Sequence, residues 1–334
     1  MVIGSFDLIG ADDLLERMLE PNVADTRGEP FLLLDLEDLQ SLSGSILASI
    51  AAWVARQSLP VLGWSKQWVP GEVCELADVW VHDVDQLDAV STAITRYPHA
   101  AMVLIQVLRS SLKLDIPSAL AVESLGYATL LGGREFAVWL EARDTKHARS
   151  KAPDTPPLKI DRQGDRLHVE LNHPENRNAL SASMRDGLTE VFKLVMLDTG
   201  IAAVQVSGAG PSFCAGGDLG EFGLQRDLTE GHCIRSVRMP AQYLAACRDR
   251  VRIRVHGACI GAGIELSAFA AHITAARDTF FQLPEVAMGL IPGAGGCVSI
   301  PRRIGRQRAA FMALSGKDID VETALAWGLI DAIR

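Results

Sequence analysis

The stretch CIGAGIELSAFA, residues 259–270, contains small, apolar or hydroxylic residues and a single charged one, Glu265. Small residues that open a helix leave main-chain N–H groups unpaired at its positive end, where they can hold an oxyanion. An ionised carboxylate buried alone is costly. Glu265 is therefore either a core residue paired with a cation, or a group that points into a cavity where its proton affinity is used.

Two other glycine-rich segments lie on either side of this stretch. FCAGGD, residues 213–218, can expose several main-chain N–H groups in a tight turn, although most such turns are only turns. In FFQLPEVAMGLIPGAGG, residues 280–296, Glu285 follows a proline, a position that also suits a plain helix start. Two carboxylates in apolar surroundings could face one pocket. Beside an oxyanion hole, such a pair suits proton transfer next to a thioester carbonyl.

The overall composition excludes several classes of protein. The chain has 334 residues, 48% hydrophobic and 22% charged, and a net charge of −9, which argues against a nucleic-acid partner. The N-terminus lacks a basic signal region, and no uncharged apolar run approaches the roughly 18 residues of a membrane span. The cysteines show neither a CxxC pair nor zinc spacing, so we expect free thiols, no metal site and a cytoplasmic protein.

The order of segments predicts an α/β fold in two parts. A charged, proline-rich stretch near residues 142–166 suggests an N-terminal part at 1–145, a linker at 146–157 and a core at 158–334. In the core, LKI and LHVEL predict a hairpin around the turn DRQGD, and Ser181 is a plausible helix N-cap. AAVQVSG and VRIRVHG are typical of strands. In the N-terminal part, strand-like FLLLD and LPVLGWS flank a helical segment, and residues 100–145 are helical.

Together, these motifs resemble the enoyl-CoA hydratase/isomerase (crotonase) family over about residues 155–334. The matching segments are NRNALSASM (176–184), PSFCAGGDLGEF (211–222), residues 255–296, and residues 301–333. The resemblance implies a core of ββα turns wound in a spiral, assembled as trimers or hexamers. It also implies an acyl-CoA substrate, as in fatty acid metabolism, with no metal or redox cofactor and coenzyme A only as part of the substrate.

The resemblance also implies roles for individual residues. The N–H groups of Gly217 and Ala262 would form the oxyanion hole, although the family usually has glycine at the second position. Glu265 would act on water and Glu285 on the α-carbon proton. The expected substrate and CoA contacts are Arg177, Ala179, Ala215, Asp218 and Gly261.

Because both glutamates are present, the sequence favours a lyase that hydrates trans-2-enoyl-CoA or catalyses the reverse dehydration. The alternatives are an isomerase or acyl-CoA hydrolase of the same family, or a non-catalytic acyl-CoA-binding subunit.

The chain departs from the family pattern in the placement of its helices. The family continues with further helices beyond the point matching Arg334. Here the helical segment 100–145 precedes the core and looks like that cap moved forward. Ile116, Leu120, Leu125 and Leu130 recur at roughly helical spacing, and we expect this face to cover the core and help wall the acyl pocket.

Two further features of the sequence leave alternatives open. Residues 60–82 match residues 250–272 at five positions without gaps, including His82 with His272, which indicates either a degenerate second copy or an unrelated α/β segment. In VRIRVHG, Arg252 and Arg254 share one face of the strand, which must meet water, carboxylates or another domain.

Overall fold

The computed structural model describes residues 2–3, 6–19, 30–143, 155–225 and 227–334. Most of the linker predicted at 146–157 lies outside these residues. The helices are α1 (Ala11–Leu19), α2 (Leu36–Leu39), α3 (Gly44–Val54), α4 (Gly71–Cys74), α5 (Val84–Arg96), α6 (Pro98–Ser111), α7 (Ile116–Leu131), α8 (Arg134–Ala142), α9 (Ala182–Leu197), α10 (Leu228–Arg238), α11 (Pro240–Cys247), α12 (Ala262–Ser267), α13 (Gly296–Ile304), α14 (Arg306–Ser315) and α15 (Val321–Trp327). Within the described ranges, no helix is both long enough and apolar enough to cross a membrane.

The strands confirm the mixed α/β class. They are β1 (Val2–Ile3), β2 (Phe6–Asp7), β3 (Leu32–Asp35), β4 (Val61–Trp64), β5 (Val79–Val81), β6 (Leu158–Gln163), β7 (Arg166–Leu171), β8 (Ala203–Gly208), β9 (Val251–Val255), β10 (Ala258–Ile260), β11 (His272–Ala275), β12 (Phe280–Gln282), β13 (Ile319–Asp320) and β14 (Ala332–Ile333). The C-terminal core contains a six-stranded sheet, β14-β11-β9-β8-β7-β6, and a three-stranded sheet, β10-β12-β13.

The predicted hairpin is present, but its turn is shorter than expected. β6 pairs antiparallel with β7 from Leu158–Leu171 to Gln163–Arg166. The residues DRQ of the predicted turn therefore belong to β6, because only Gly164 and Asp165 are needed to reverse the chain. The helix N-cap is confirmed, since Ser181 Oγ accepts a hydrogen bond from Met184 N at 3.3 Å.

Strand β9 buries one face and exposes the other. Val251, Ile253 and Val255 are buried, whereas Arg252 and Arg254 are exposed. The face of β9 that carries Arg252 and Arg254 therefore meets solvent, which is one of the alternatives that the sequence left open.

The N-terminal part forms a three-stranded parallel sheet, β3-β4-β5. Its residues alternate between two apolar clusters: Leu32 and Leu34 pack in a local cluster with α1 and α3, while Leu33 and Leu62 join the large core shared with residues 158–334. A parallel sheet is commonly covered on both faces in this way. The apolar core therefore crosses the predicted boundary between the two parts.

Residues 60–82 show the predicted order of strand, turn, helix and strand. The strand register, however, differs from that of residues 250–272. In the ungapped match, Leu62 corresponds to Arg252 and Val79 to Phe269. Leu62 pairs with Val79, but Arg252 pairs with His272 instead of Phe269. The sequence identity between His82 and His272 is therefore not a structural equivalence, and the degenerate second copy stays a prediction.

Helices α6, α7 and α8 pack on the C-terminal core, and their equivalence to the helices that follow the core in the family stays a prediction. Ser111 Oγ donates a hydrogen bond to Cys297 O at 2.7 Å. Trp139 packs edge-on against Phe222, with ring centroids 6.0 Å apart. The expected apolar face was wrong at Leu125, which is 54% exposed. The helical period places residues 123, 124 and 127, and not Leu125, on the side of α7 that packs against the core.

A buried carboxylate also joins the two parts. Asp78 lies just before β5 and is fully buried. It accepts hydrogen bonds from Val61 N and from Arg109 Nε of α6, both at 2.8 Å. It also forms an ion pair with Arg306 of α14. Two guanidinium groups and a main-chain donor thus compensate the charge that the fold buries.

Candidate active site

The glycine-rich turns at 213–218 and 259–265 lie side by side. Cys214 N donates to Ala258 O at 3.1 Å, and Ile260 N donates to Cys214 O at 2.9 Å. Gly261 has φ +48° and ψ −121°, a conformation that favours glycine. The two turns therefore bring Gly217 next to Ala262 at the start of α12.

Gly217 and Ala262 line a cleft with about 680 Å³ of open space. In the described part of the chain, neither main-chain N–H donates a hydrogen bond. Free N–H groups held by tight turns can stabilise an oxygen that acquires negative charge. Their role as an oxyanion hole stays a prediction.

Glu265 lies on α12 and is 2% exposed. Its Oε2 accepts hydrogen bonds from Ala294 N at 2.7 Å and Gly296 N at 2.9 Å. No cation within the described ranges forms an ion pair with it, so the alternative of a salt-bridged core glutamate is wrong. Burial raises the pKa of Glu265 to about 7, against the opposing effect of the two N–H donors.

Glu285 approaches the same point from β12, the strand that neighbours β10 in the three-stranded sheet. Strand β12 pairs with β10, and Gly261 N donates to Gln282 O at 2.9 Å, which places the segment after β12 above Gly261. A Cβ on residue 261 would stand 2.5 Å from Glu285 Oε1 and 3.8 Å from Glu265 Oε1. The absence of a side chain at Gly261 therefore lets the two carboxyl groups meet in one cleft, as predicted from the sequence.

The carboxyl group of Glu285 accepts fewer hydrogen bonds from the described residues than that of Glu265. Glu285 Oε2 is buried and has no hydrogen-bond partner among the described residues. Burial, and next the charge of Glu265, raise the pKa of Glu285 well above its ordinary value. The two glutamates thus have shifted proton affinities in an accessible cleft, and their roles as base and acid stay predictions.

A third glutamate, which no sequence motif indicated, lies beside the pair. Glu123 of α7 is buried; its Oε1 accepts from Gly295 N at 2.7 Å and its Oε2 from Cys297 N at 2.8 Å. Successive N–H groups of residues 294–297 therefore donate alternately to Glu265 and to Glu123. Burial, and next the charge of Glu265, raise the pKa of Glu123. Glu123 therefore holds the turn whose N–H groups bind Glu265, the place expected of a residue that orients the candidate base.

We expect Glu123→Gln to lower the activity of the chain through Glu265. The amide can accept from only one of its two N–H donors, and an unmade buried hydrogen bond costs about 1–3 kcal/mol. Turnover and the acidic limb of the pH profile should both change, whereas the exposed control Glu141→Gln should leave them unaltered. A variant that loses thermal stability but keeps the rate and the pH profile would show that Glu123 has only a structural role.

Tyr127 and Arg235 also line the cleft and were not identified from the sequence. Tyr127 comes from α7 and covers Gly293, where a Cβ would stand 2.4 Å from its ring. Arg235 comes from α10. The sequence signal was the spacing of Glu123 and Tyr127, which lie four residues apart on α7 and so share one side of the helix.

The expected coenzyme A contacts lie beside the cleft and not in its lining. Ala215 N donates to Arg177 O at 3.0 Å, so Arg177, Ala179 and Ala215 lie on adjacent segments. Arg177 is exposed, and Ala179 is buried. The Asp218 carboxylate accepts from Gly220 N and from Asn176 Nδ2 and so stabilises its own turn. Their contacts with coenzyme A stay predictions.

Comparison with known proteins agrees with this geometry. The profile of the enoyl-CoA hydratase/isomerase family matches residues 162–334. The 2,3-dehydroadipyl-CoA hydratase of Escherichia coli K12 is 32% identical over 176 residues, which cover 53% of this chain and 68% of that protein. The 1,2-epoxyphenylacetyl-CoA isomerase of the same organism is 36% identical over 170 residues, covering 49% and 64%.

A solved enoyl-CoA hydratase/isomerase from Mycobacterium paratuberculosis aligns with a TM-score of 0.50 and 28% identity, covering 54% of this chain and 73% of that one. This similarity confirms the crotonase-like core. Because the relatives include a hydratase and an isomerase, the similarity identifies a family and not a single reaction. The chain spans less than two thirds of the second relative's length.

Proposed function

The chain belongs to the enoyl-CoA hydratase/isomerase family, and we propose that it hydrates a trans-2-enoyl-CoA or catalyses the reverse dehydration. The observation that carries this proposal is the meeting of Glu265 and Glu285 above Gly261, in a cleft lined by Gly217 and Ala262. Hydration needs one group to activate water and another to protonate the α-carbon. This cleft contains both groups beside two free N–H donors.

In this mechanism, the thioester oxygen accepts hydrogen bonds from the N–H groups of Gly217 and Ala262. Addition of water builds enolate-like negative charge on that oxygen, and losing one such donor typically costs roughly 3–4 kcal/mol. Coenzyme A enters as part of the substrate. Every proton in the route comes from water or from the two glutamates.

The two carboxyl groups have different tasks. Ionised Glu265, oriented by Ala294 and Gly296, accepts a proton from water as the water oxygen bonds to the β-carbon. Protonated Glu285 gives its proton to the α-carbon. Glu265 ends protonated and Glu285 ionised, and proton exchange with water restores the starting state. Burial raises both pKa values, and each negative charge opposes the other, so the pair tends to hold one proton near neutral pH.

We expect kcat/KM for hydration to show a bell-shaped pH profile. Below the pKa of Glu265, about 7, the base gains a proton and the rate falls; above the raised pKa of Glu285, the acid loses its proton and the rate falls again. The measurement is kcat/KM for crotonyl-CoA from about pH 5 to about pH 9.5. A rate that stayed constant down to the ordinary glutamate pKa would contradict a neutral-range base.

One assay distinguishes the proposed function from its alternatives. A hydratase removes the ultraviolet band of a trans-2-enoyl thioester such as crotonyl-CoA. An isomerase would create that band from a 3-enoyl-CoA, and a hydrolase would release a free thiol. A non-catalytic acyl-CoA-binding subunit would bind the thioesters without turnover. Loss of the band, with a hydroxyacyl-CoA product, is the expected result.

We also propose that the protein is a cytoplasmic homo-oligomer, a trimer or hexamer, as the family resemblance implies. Analytical sedimentation would measure the mass of the assembly.

A further inference from the structure

Arg235 places a guanidinium group in the same cleft as the two candidate catalytic carboxyl groups. It also lines a second cavity, with about 470 Å³ of open space, between α7, α10 and α11. Arg235, Met239 and Gly293 line both spaces, so the second cavity adjoins the cleft at these residues, and Arg235 itself faces the cleft. A chain that extends from the reacting carbons could therefore reach this side chain.

The guanidinium group is held in a defined orientation by α7. Its Nε donates to Ser124 Oγ at 3.1 Å, and that oxygen lies 2.9 Å from Nδ1 of His232. The central guanidinium carbon lies 4.7 Å from the ring centroid of Tyr127. A side chain fixed on two sides loses little further conformational freedom when it binds a ligand.

One end of Arg235 lacks a partner. Nη2 is buried and makes no hydrogen bond to any described residue. Over the same residues, no carboxylate oxygen forms an ion pair with Arg235. Glu123 is near enough to act through its charge, but both its oxygens accept main-chain N–H groups. Burying a cationic donor without a partner is costly, so such groups are usually paired in the functional state.

We propose that Arg235 binds a carboxylate at the far end of the acyl chain, so that the preferred substrate is an enoyl-CoA with a second, anionic carboxyl group. The proposal rests on the proposed function, because Arg235 shares its cleft with the residues assigned to the reacting carbons. A guanidinium group matches a carboxylate in charge and in the geometry of its paired donors. The second cavity adds polar groups from Ser236 and Gln242 around this position.

The test compares pairs of trans-2-enoyl-CoA substrates of equal chain length, one ending in a methyl group and one in a carboxylate. The unmodified protein should show a kcat/KM about ten- to hundredfold higher for the carboxylate member of the best pair, as expected for a charge-assisted hydrogen bond. Arg235→Gln should remove most of this preference, and Arg235→Lys should restore part of it. Arg238→Gln, on the exposed side of the same helix, is the matched control.

A binding experiment separates this proposal from the proposed hydration. Saturated acyl-CoA pairs, with and without the terminal carboxylate, cannot react and can be titrated by calorimetry. Arg235-dependent preference for the carboxylate member would support the proposal even if the chain does not hydrate enoyl-CoA. Equal affinity for both members, or an equal loss for both in Arg235→Gln, would overturn it. An equal loss would indicate that Arg235 binds the coenzyme A phosphates or only offsets the charge of the neighbouring glutamates.

Discussion

Replacing Glu285 by Gln is expected to lower the hydration of crotonyl-CoA by about 10²–10⁴-fold, the usual contribution of a positioned acid or base. An amide of nearly the same shape fills the space but has no proton to give to the α-carbon. Because Glu285 Oε2 has no hydrogen-bond partner among the described residues, the substitution breaks no bond of that atom. Thioester binding should therefore persist while kcat falls.

The same substitution should not destabilise the fold at high pH. The pKa of Glu285 is raised in the folded chain, so its ionisation weakens the fold as pH rises from the ordinary glutamate range through the folded value. Glu285→Gln lacks this ionisation. We expect its melting temperature, measured near pH 8, to equal or exceed that of the unmodified protein.

Glu265→Gln should lower kcat to a similar extent. Unlike Glu285→Gln, it changes a carboxyl group whose hydrogen bonds stabilise the fold. Glu265 Oε2 accepts two main-chain hydrogen bonds, which the amide can keep only by turning its carbonyl oxygen towards Ala294 and Gly296. The exposed control Glu322→Gln should change neither rate nor stability. Unchanged turnover in either active-site variant would contradict the proposed roles.

The sequence predicted the parts of the site that local chain geometry determines. Gly261 precedes α12, and Glu265 follows within one turn, so their relation is set by a few residues. Glu285 comes three residues after β12, which pairs beside β10. Short segments with strong glycine and proline signals constrain such positions even when only one sequence is known.

The residues that the sequence did not reveal reach the site through long-range packing. Glu123 and Tyr127 lie on α7, far along the chain from Gly293 and Gly295, which they contact. A glutamate on a helix usually faces water, and only the packing of α7 on the core reverses that expectation. The error at Leu125 has the same origin, because apolar spacing alone selected the wrong face.

The register of paired strands also depends on the lengths of the loops between them, which an ungapped match of two segments does not take into account. The match between residues 60–82 and 250–272 gave the order of elements, but an ungapped comparison cannot place a loop of different length. The parallel pair β4–β5 therefore has a register different from that of β9–β11. Identity of single residues such as His82 and His272 carries little weight where loop lengths differ.

Removing residues 1–150 is expected to abolish folding of the remaining fragment, because the cap contributes to the core and to the active-site turn. Gly295 and Cys297 would lose Glu123, and Arg306 would lose Asp78. The fragment would also expose apolar surface that α6 and α7 now cover. Each large apolar side chain returned to water costs about 1.5–3 kcal/mol, and a domain is stable by only about 5–15 kcal/mol in total.

The experiment compares the isolated fragment 151–334 with the full chain by solubility, circular dichroism and enoyl-CoA hydration. We expect an aggregated or partly folded, inactive fragment, and partial recovery when residues 1–150 are co-expressed with it. Recovery should fail when the co-expressed segment carries Glu123→Gln, because only the intact carboxylate can accept from both N–H groups of the turn. A soluble, folded and fully active fragment would show that the core forms its acyl site without the cap. In that case the role of Glu123 as a positioning residue would also be wrong, since the turn at residues 294–297 would hold Glu265 unaided.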